Sequence, residues 1–161
     1  MNCNRFLRKR TKEAKGWVTN KVLALQNNVD PVRLQRIAVL VEVTGAAIVI
    51  SSSWRLLCDP SEFEQAFAGL GYPLKVLGRT PRPEVLPSQS VQVGEHTIQI
   101  GPYRGDEIEA WLKHEAPEPV ESFVILDDQN DMGPHMGRLV RIDDGIEVEH
   151  VEKAIALLQG S

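Results

Sequence analysis

The chain has 161 residues, 42% hydrophobic and 25% charged, with a net charge of −4 from 22 acidic and 18 basic residues. That length suits one domain with a real core, and the acidic balance argues against broad, charge-driven binding to nucleic acid. Two cysteines, Cys3 and Cys58, do not make a disulfide framework, and no apolar run approaches the ~20 residues of a membrane span. The basic charge is concentrated in "RFLRKRTKEAK" at 5–15, which reads either as a solvated N-terminal segment or as an electropositive rim for a phosphorylated substrate. Because this terminus lacks the apolar core of a secretory signal, the expected compartment is the reducing cytoplasm.

The division along the chain is a basic N-terminal segment over 1–28 and a single α/β domain over 29–161. Residues 30–45 predict a helix: Asp30 can cap it, Pro31 fits the first helical position, and Gly45 fits the end. Leu34, Ile37, Ala38 and Val41 share one face. The apolar run "AAIVI", 46–50, predicts a short buried strand, which ends abruptly in Ser51-Ser52-Ser53. Ser61 and Glu64 fit a capping box for a second helix, with Phe63, Ala66, Phe67 and Leu70 inward and Gly69 and Gly71 at its end. "LKVLG", 74–78, predicts a strand, and a loop with Pro81, Pro83 and Pro87 follows.

Further on, "VQVGEHTIQI", 91–100, alternates around Gly94-Glu95 as a small hairpin would. A helix over 105–115 places Ile108, Trp111 and Leu112 inward. "SFVILDD", 122–128, predicts a buried strand ending in two carboxylates, and "RLVRI", 138–142, predicts another. The closing helix, 147–158, carries Val148, Val151, Ile155 and Leu158 on one side. This alternation predicts a mostly parallel sheet with right-handed crossovers and helices over both faces.

Ligands of such sheets bind beyond the carboxyl ends of the strands. Two of those ends are polar here. Hydroxyls at Ser51-Ser52-Ser53 suit phosphate oxygens, or an ordinary turn. Asp127-Asp128 suit Mg²⁺, which prefers oxygen ligands, or a helix cap. A bound cation would relieve the repulsion between adjacent carboxylates. Arg104, just before a helix, would add positive charge near a phosphate.

The stretches "TGAAIVISSSWR" (44–55), "RGDEIEAWL" (104–112), "FVILDDQNDM" (123–132) and "LVRIDDGI" (139–146) come in an order that resembles the haloacid dehalogenase (HAD) superfamily of phosphohydrolases. Within it the chain is similar to the small branch associated with RNA-repair proteins and polynucleotide phosphatases, over about residues 29–158. The resemblance implies a three-layer, Rossmann-like parallel sheet with a small hairpin insertion and no large cap, a site open to large substrates such as a polynucleotide end. It implies that Ser51 binds the transferring phosphoryl group with help from Ser52, and that Arg104 stabilises developing charge. Asp127 and Asp128 would hold Mg²⁺, with Asp131 as an additional ligand. Trp54 and Arg55 belong to the branch's signature, and Trp54 is assigned a packing role.

One motif departs. The family's nucleophile and general acid/base lie in an Asp-x-Asp-Gly after an apolar strand, and no Asp-x-Asp precedes Ser51. Glu13 and Asp30 follow no apolar strand, and "IDDG" at 142–145 comes too late. Met1-Asn2 resemble the tail of that motif, which suggests a chain truncated by about one strand length. In the family the missing strand lies mid-sheet, between 46–50 and 122–126. Three outcomes are then open: the sheet closes up, another segment such as "WVTNKVLAL" (17–25) fills the slot as a strand, or a second chain does. "WVTNKVLAL" also reads as a helix.

The expected function is an Mg²⁺-dependent phosphohydrolase that uses an aspartyl-phosphate intermediate in its complete form and is inactive as this chain. The alternative is a non-catalytic HAD-like protein that binds phosphate or metal or serves as an interaction module. Expected partners are a phosphorylated substrate, with a nucleic-acid end as one candidate, no membrane, and a second copy of the chain as an open option.

Overall fold

The computed structural model describes residues 20–160. The basic segment 5–15, Glu13, Cys3 and Met1-Asn2 lie outside the described residues, so the expectations placed on them are not addressed by the structure. Within 20–160 the fold class is α/β, as the patterning predicts.

The chain opens with helix α1 (Lys21–Asn28), capped where the Asn20 side chain accepts from Leu23 N–H. Lys21–Leu25 of "WVTNKVLAL" are therefore helical, not a replacement strand; residues 17–19 lie outside the described residues. Helix α2 (Pro31–Thr44) begins as read, with the Asp30 carboxylate accepting from Val32 N–H. It stops at Gly45, whose φ of 70° is a left-handed conformation that glycine adopts without a Cβ penalty. Strand β1 (Ile48–Ile50) follows, and then a 3-10 turn over Ser53–Leu56.

Helix α3 (Pro60–Gly69) starts earlier than Ser61 would place it. Its capping box joins Asp59 and Glu62, because Pro60 already holds the first helical φ. Glu64 instead accepts from Val76 N–H at 2.8 Å and ties α3 to strand β2 (Val76–Arg79). Strands β3 (Gln89–Val93) and β4 (His96–Ile100) form the expected antiparallel hairpin around Gly94-Glu95. Helix α4 (Arg104–His114), strand β5 (Ile125–Asp127), strand β6 (Leu139–Arg141) and helix α5 (Val148–Gln159) complete the described residues. Val148 is exposed, while the rest of the expected inward side of α5 holds: Val151 is buried beside Ala154, and half-buried Ile155 and Leu158 pack against the same cluster. No helix among the described residues is long and apolar enough to cross a membrane.

The parallel strands do not form one continuous sheet. β1 pairs with β2 and β5 pairs with β6, both parallel, as two separate two-stranded sheets. Each pair has its own core. Leu25, Leu34, Trp54, Phe63, Phe67 and Val76 build the core beside β1–β2. Leu40, Val140, Ile146, Val151 and Ala154 build the core between β6, α2 and α5. Ile108 of α4, Ile125 of β5 and Met132 form a third cluster on the opposite face of β5. Ile37 of α2 packs against both larger clusters and joins them. Trp54, 4% exposed, has the packing role assigned to it.

The first cluster sets the stability of this half of the molecule. Phe63 is 4% exposed there, its ring centroid 6.1 Å from that of Phe67. Phe63→Ala is expected to lower unfolding stability by about 3–5 kcal/mol in urea titrations, through lost burial and the cavity left behind.

Candidate functional site

Arg104, the first residue of α4, sits where the two sheets come closest at their carboxyl ends. Its Nη1 donates to the Ser51 carbonyl just beyond β1 and, at 3.0 Å, to Glu107 Oε2. Its Nε forms an ion pair with Asp127 Oδ2 at the end of β5, at 3.4 Å. Its backbone N–H donates to Asp131 Oδ2 at 3.2 Å. One side chain thus spans the carboxyl ends of β1 and β5. The Nη2 atom of Arg104 has no partner among the described residues.

A second guanidinium braces the first. Arg55, 4% exposed, donates through Nη1 to the Ser51 and Ser52 carbonyls at 2.7 and 3.1 Å and through Nη2 to Glu107 Oε2 at 2.8 Å. Glu107, 5% exposed, therefore serves two arginines with one carboxylate oxygen. Burial pushes its carboxyl above the usual range, and the two guanidinium charges oppose that shift. Arg79 adds a third brace by donating to the Arg55 and Cys58 carbonyls, both at 2.9 Å. Ser51, Ser52 and Ser53 are half-buried; the carbonyls of the first two are held in this way, and none of the three hydroxyls makes a hydrogen bond among the described residues.

On the β5 side, Asp127 accepts from Gln129 N–H at 3.0 Å and touches the side chain of exposed Asp128. Burial first, and then contact with Asp128, push the Asp127 carboxyl above its ordinary range; the Gln129 N–H and Arg104 pull it back. Asp131 caps α4 with Oδ2, while its Oδ1 is buried with no hydrogen-bond partner. Gly105 makes this approach possible, since a Cβ there would lie 2.3 Å from the Met132 carbonyl oxygen. No cluster of three or more His, Cys, Asp or Glu arranged to hold a metal occurs among the described residues. The oxygens of Asp127 and Asp128 still suit a hard cation, because Mg²⁺ typically takes one or two carboxylates and completes its shell with water and phosphate.

The sequence-predicted residues Ser51, Ser52, Arg104, Asp127, Asp128 and Asp131 all lie at this end of the molecule. Two participants were not predicted. Glu107 stands three residues after Arg104, a spacing at which helix side chains meet, but its pairing with Arg55 crosses 52 positions and has no local signal. Thr80, just past β2, is 4% exposed, and its Oγ1 has no partner. Four buried polar atoms are without a hydrogen-bond partner among the described residues, namely Arg55 Nε, Thr80 Oγ1, Arg104 Nε and Asp131 Oδ1. All four belong to residues at the strand carboxyl ends. Buried orphans cost stability and normally serve a ligand or ordered water.

Asp30, by contrast, is spent as the N-cap of α2, and exposed Asp143 pairs with Arg141 at 2.8 Å. Neither belongs to the site. Glu107→Ala is expected to destabilise the protein by about 3–5 kcal/mol, because two guanidiniums would lose their common buried counter-charge. Denaturant unfolding would measure that loss, and Glu107→Gln should recover part of it by keeping a hydrogen-bond acceptor.

Comparison with curated proteins gives no match, and neither does comparison with solved structures. A family model described as "HAD domain in Swiss Army Knife RNA repair proteins" matches residues 4–151. The match extends from before α1 into α5 and includes every residue of the site above. It supports a HAD-like phosphohydrolase in general terms and agrees with the motif order "ISSSWR", "RGDE" and "VILDD". The chain belongs to the family of HAD domains found in Swiss Army Knife RNA repair proteins.

Proposed function

We propose that the carboxyl ends of β1 and β5 form a HAD-type phosphohydrolase site for a phosphorylated polynucleotide end, with Mg²⁺ as its cation. The observation that carries this reading is Arg104, which ties the Ser51 segment to Asp127 while keeping Nη2 free for a phosphate oxygen. In this reading Ser51 and Ser52 bind phosphate oxygens through their hydroxyls. Arg104 orients the group and stabilises charge developing on it. Asp127 and Asp128 hold the cation, and the buried Asp131 Oδ1 faces the same end as a further ligand. Mg²⁺, when bound, would neutralise phosphate charge and polarise the phosphoryl group. The RNA-repair description of the family and the small insertion between β2 and α4, a single hairpin, support a large substrate.

A second reading is favoured by the engagement of Asp30 as a helix cap and by the lack of any Asp-x-Asp before Ser51 in the sequence. On that reading these 161 residues bind phosphate and cation without turnover. The two readings separate in one experiment, in which a 5′- or 3′-phosphorylated oligonucleotide is incubated with the chain and Mg²⁺ and released phosphate is measured. We expect binding with no turnover above background. Steady Mg²⁺-dependent release would establish the catalytic form for this chain.

The cation assignment has its own test. Calorimetric titration should show Mg²⁺ binding that is lost in the Asp127→Ala, Asp128→Ala double variant; unchanged affinity would remove the site. The pH dependence follows from the raised Asp127 pKa. The folded state holds this proton more tightly than the unfolded state. The resulting stabilisation is complete below the unfolded value and is lost as pH rises through the raised folded value. At neutral pH the ionised carboxylate thus opposes folding, and a cation should offset that cost. Mg²⁺ should raise Tm at pH 7, and the gain should fade as pH drops through the elevated Asp127 value.

A further inference from the structure

The carboxyl end of β2 lies level with that of β1. Ile50 and Arg79 are register partners, and Thr80 N–H donates to the Ile50 carbonyl at 3.0 Å, so Thr80 stands beside Ser51. From there the chain stays against the segment that follows β1. Arg79 reaches the Arg55 and Cys58 carbonyls, and Arg82 Nη2 donates to the Leu56 carbonyl at 3.0 Å.

These two arginines differ in what they have left over. Arg79 is spent, since besides those carbonyls it pairs with Asp59 Oδ1 at 3.0 Å. Arg82 is exposed, forms no ion pair among the described residues, and uses Nη2 alone, so its Nε and Nη1 donors make no hydrogen bond there. Thr80, two residues earlier, keeps a buried Oγ1 without a partner, so the polar groups at this strand end are not satisfied from within. From Thr80 to Tyr103, the whole insertion beside the site, Arg82 is the only Lys or Arg. Exposed Glu84 follows it closely, so the cationic spot is one guanidinium wide and suits a single phosphate.

The bond to Leu56 fixes where that guanidinium sits. Leu56 ends the 3-10 turn that begins at Ser53. At a 3-10 rise of ~2.0 Å per residue, the two lie about 6 Å apart along the turn, a span on the order of one nucleotide. We propose that Arg82 is a second phosphate subsite, which takes the internal phosphodiester next to a terminal phosphate held at Ser51, Ser52 and Arg104. Its guanidinium offers a fork of N–H donors to the two free oxygens of a phosphodiester. The subsite favours a polynucleotide end over a mononucleotide. It rests on the phosphate site proposed above.

The test is calorimetric titration of the whole chain with Mg²⁺ at low salt. Three ligands are compared, each made with a 5′- and with a 3′-terminal phosphate. They are a mononucleotide, a dinucleotide, and the same dinucleotide with an uncharged methylphosphonate as its internal linkage. In at least one series the charged dinucleotide should bind about three- to tenfold tighter than the mononucleotide. The methylphosphonate should bind like the mononucleotide. Arg82→Gln should abolish the gain and leave mononucleotide affinity unchanged, while Arg82→Lys should keep part of it. Rising salt should erode the gain in the unaltered chain. Equal affinity of the two dinucleotides, or a gain that survives Arg82→Gln, would overturn the subsite and leave the phosphate site standing. Equal weakening of all three ligands by Arg82→Gln would overturn it too, since Arg82 would then only support the serine turn through Leu56. If the mononucleotide does not bind at all, the phosphate site itself falls and the subsite with it.

Discussion

Arg104 and Arg55 share the carboxylate of Glu107, and through it the loop after β1 is joined to the start of α4 and the end of β5. The two strand pairs make no backbone hydrogen bond to each other among the described residues, so this buried ion cluster carries the register between them at the carboxyl end. Charges taken out of water cost several kcal/mol each, and they persist here because geometry compensates them. Arg55 makes two carbonyl contacts besides its ion pair, and Arg104 makes contacts on both sides of the gap. The same cluster holds the segment through the Ser51 and Ser52 carbonyls and makes no use of its hydroxyls. Structural and ligand-facing groups are thus separated by atom within the same residues.

The divided sheet and the polar cluster are two ends of one arrangement. Near the carboxyl ends the gap is bridged by guanidiniums. Deeper in, it is lined by apolar residues from α2 and α4. Closing the gap would require moving α2, which packs on both cores through Ile37, and α4, whose first turn is locked by Asp131 and by the close approach of Gly105 to Met132. Protein interiors resist such shifts because packed side chains interdigitate at near-crystalline density. The helices therefore hold the strand pairs apart even though the exposed edges favour pairing.

Much of this was legible in the sequence because it is written locally. Asp30, Pro31 and Gly45 mark the ends of α2, and Gly94-Glu95 turns the hairpin. The order of serines, arginine and aspartates located the site without any tertiary information. What stayed hidden is long-range or competitive. Glu107 looked like an ordinary helix carboxylate until folding brought Arg55 beside it. Thr80 looked like loop. Ser61 offered a cap as good as Asp59, and the choice fell to Asp59 because Pro60 already has a helical φ. Val148 matched the apolar stripe of α5 but stands at its first residue, beyond the reach of the core. That the sheet stays divided depends on how wide the helices hold it, which no local pattern encodes.

The hairpin β3–β4 has a consequence for how the molecule is assembled. Every residue of it is exposed except half-buried Ile100, and it is held by its own ladder and by polar pairs such as Thr97 with Gln92 at 2.7 Å. A lone two-stranded hairpin is only marginally stable in water, so its Gly94-Glu95 turn is a natural point for a protease to nick the chain. Such a cut would leave the core beside β1–β2 in one fragment and divide the second, whose Leu40 comes from α2 and whose other buried members come from β6, α5 and the loop between them. One fragment would keep α1–α3 with β1–β2, and the other would keep α4–α5 with β5–β6. The contacts between α2 and α5 and the Glu107 ion cluster would be what rejoins them. The protein is in this sense a natural pair of halves, carried on one chain by a connection that neither half needs for its own packing.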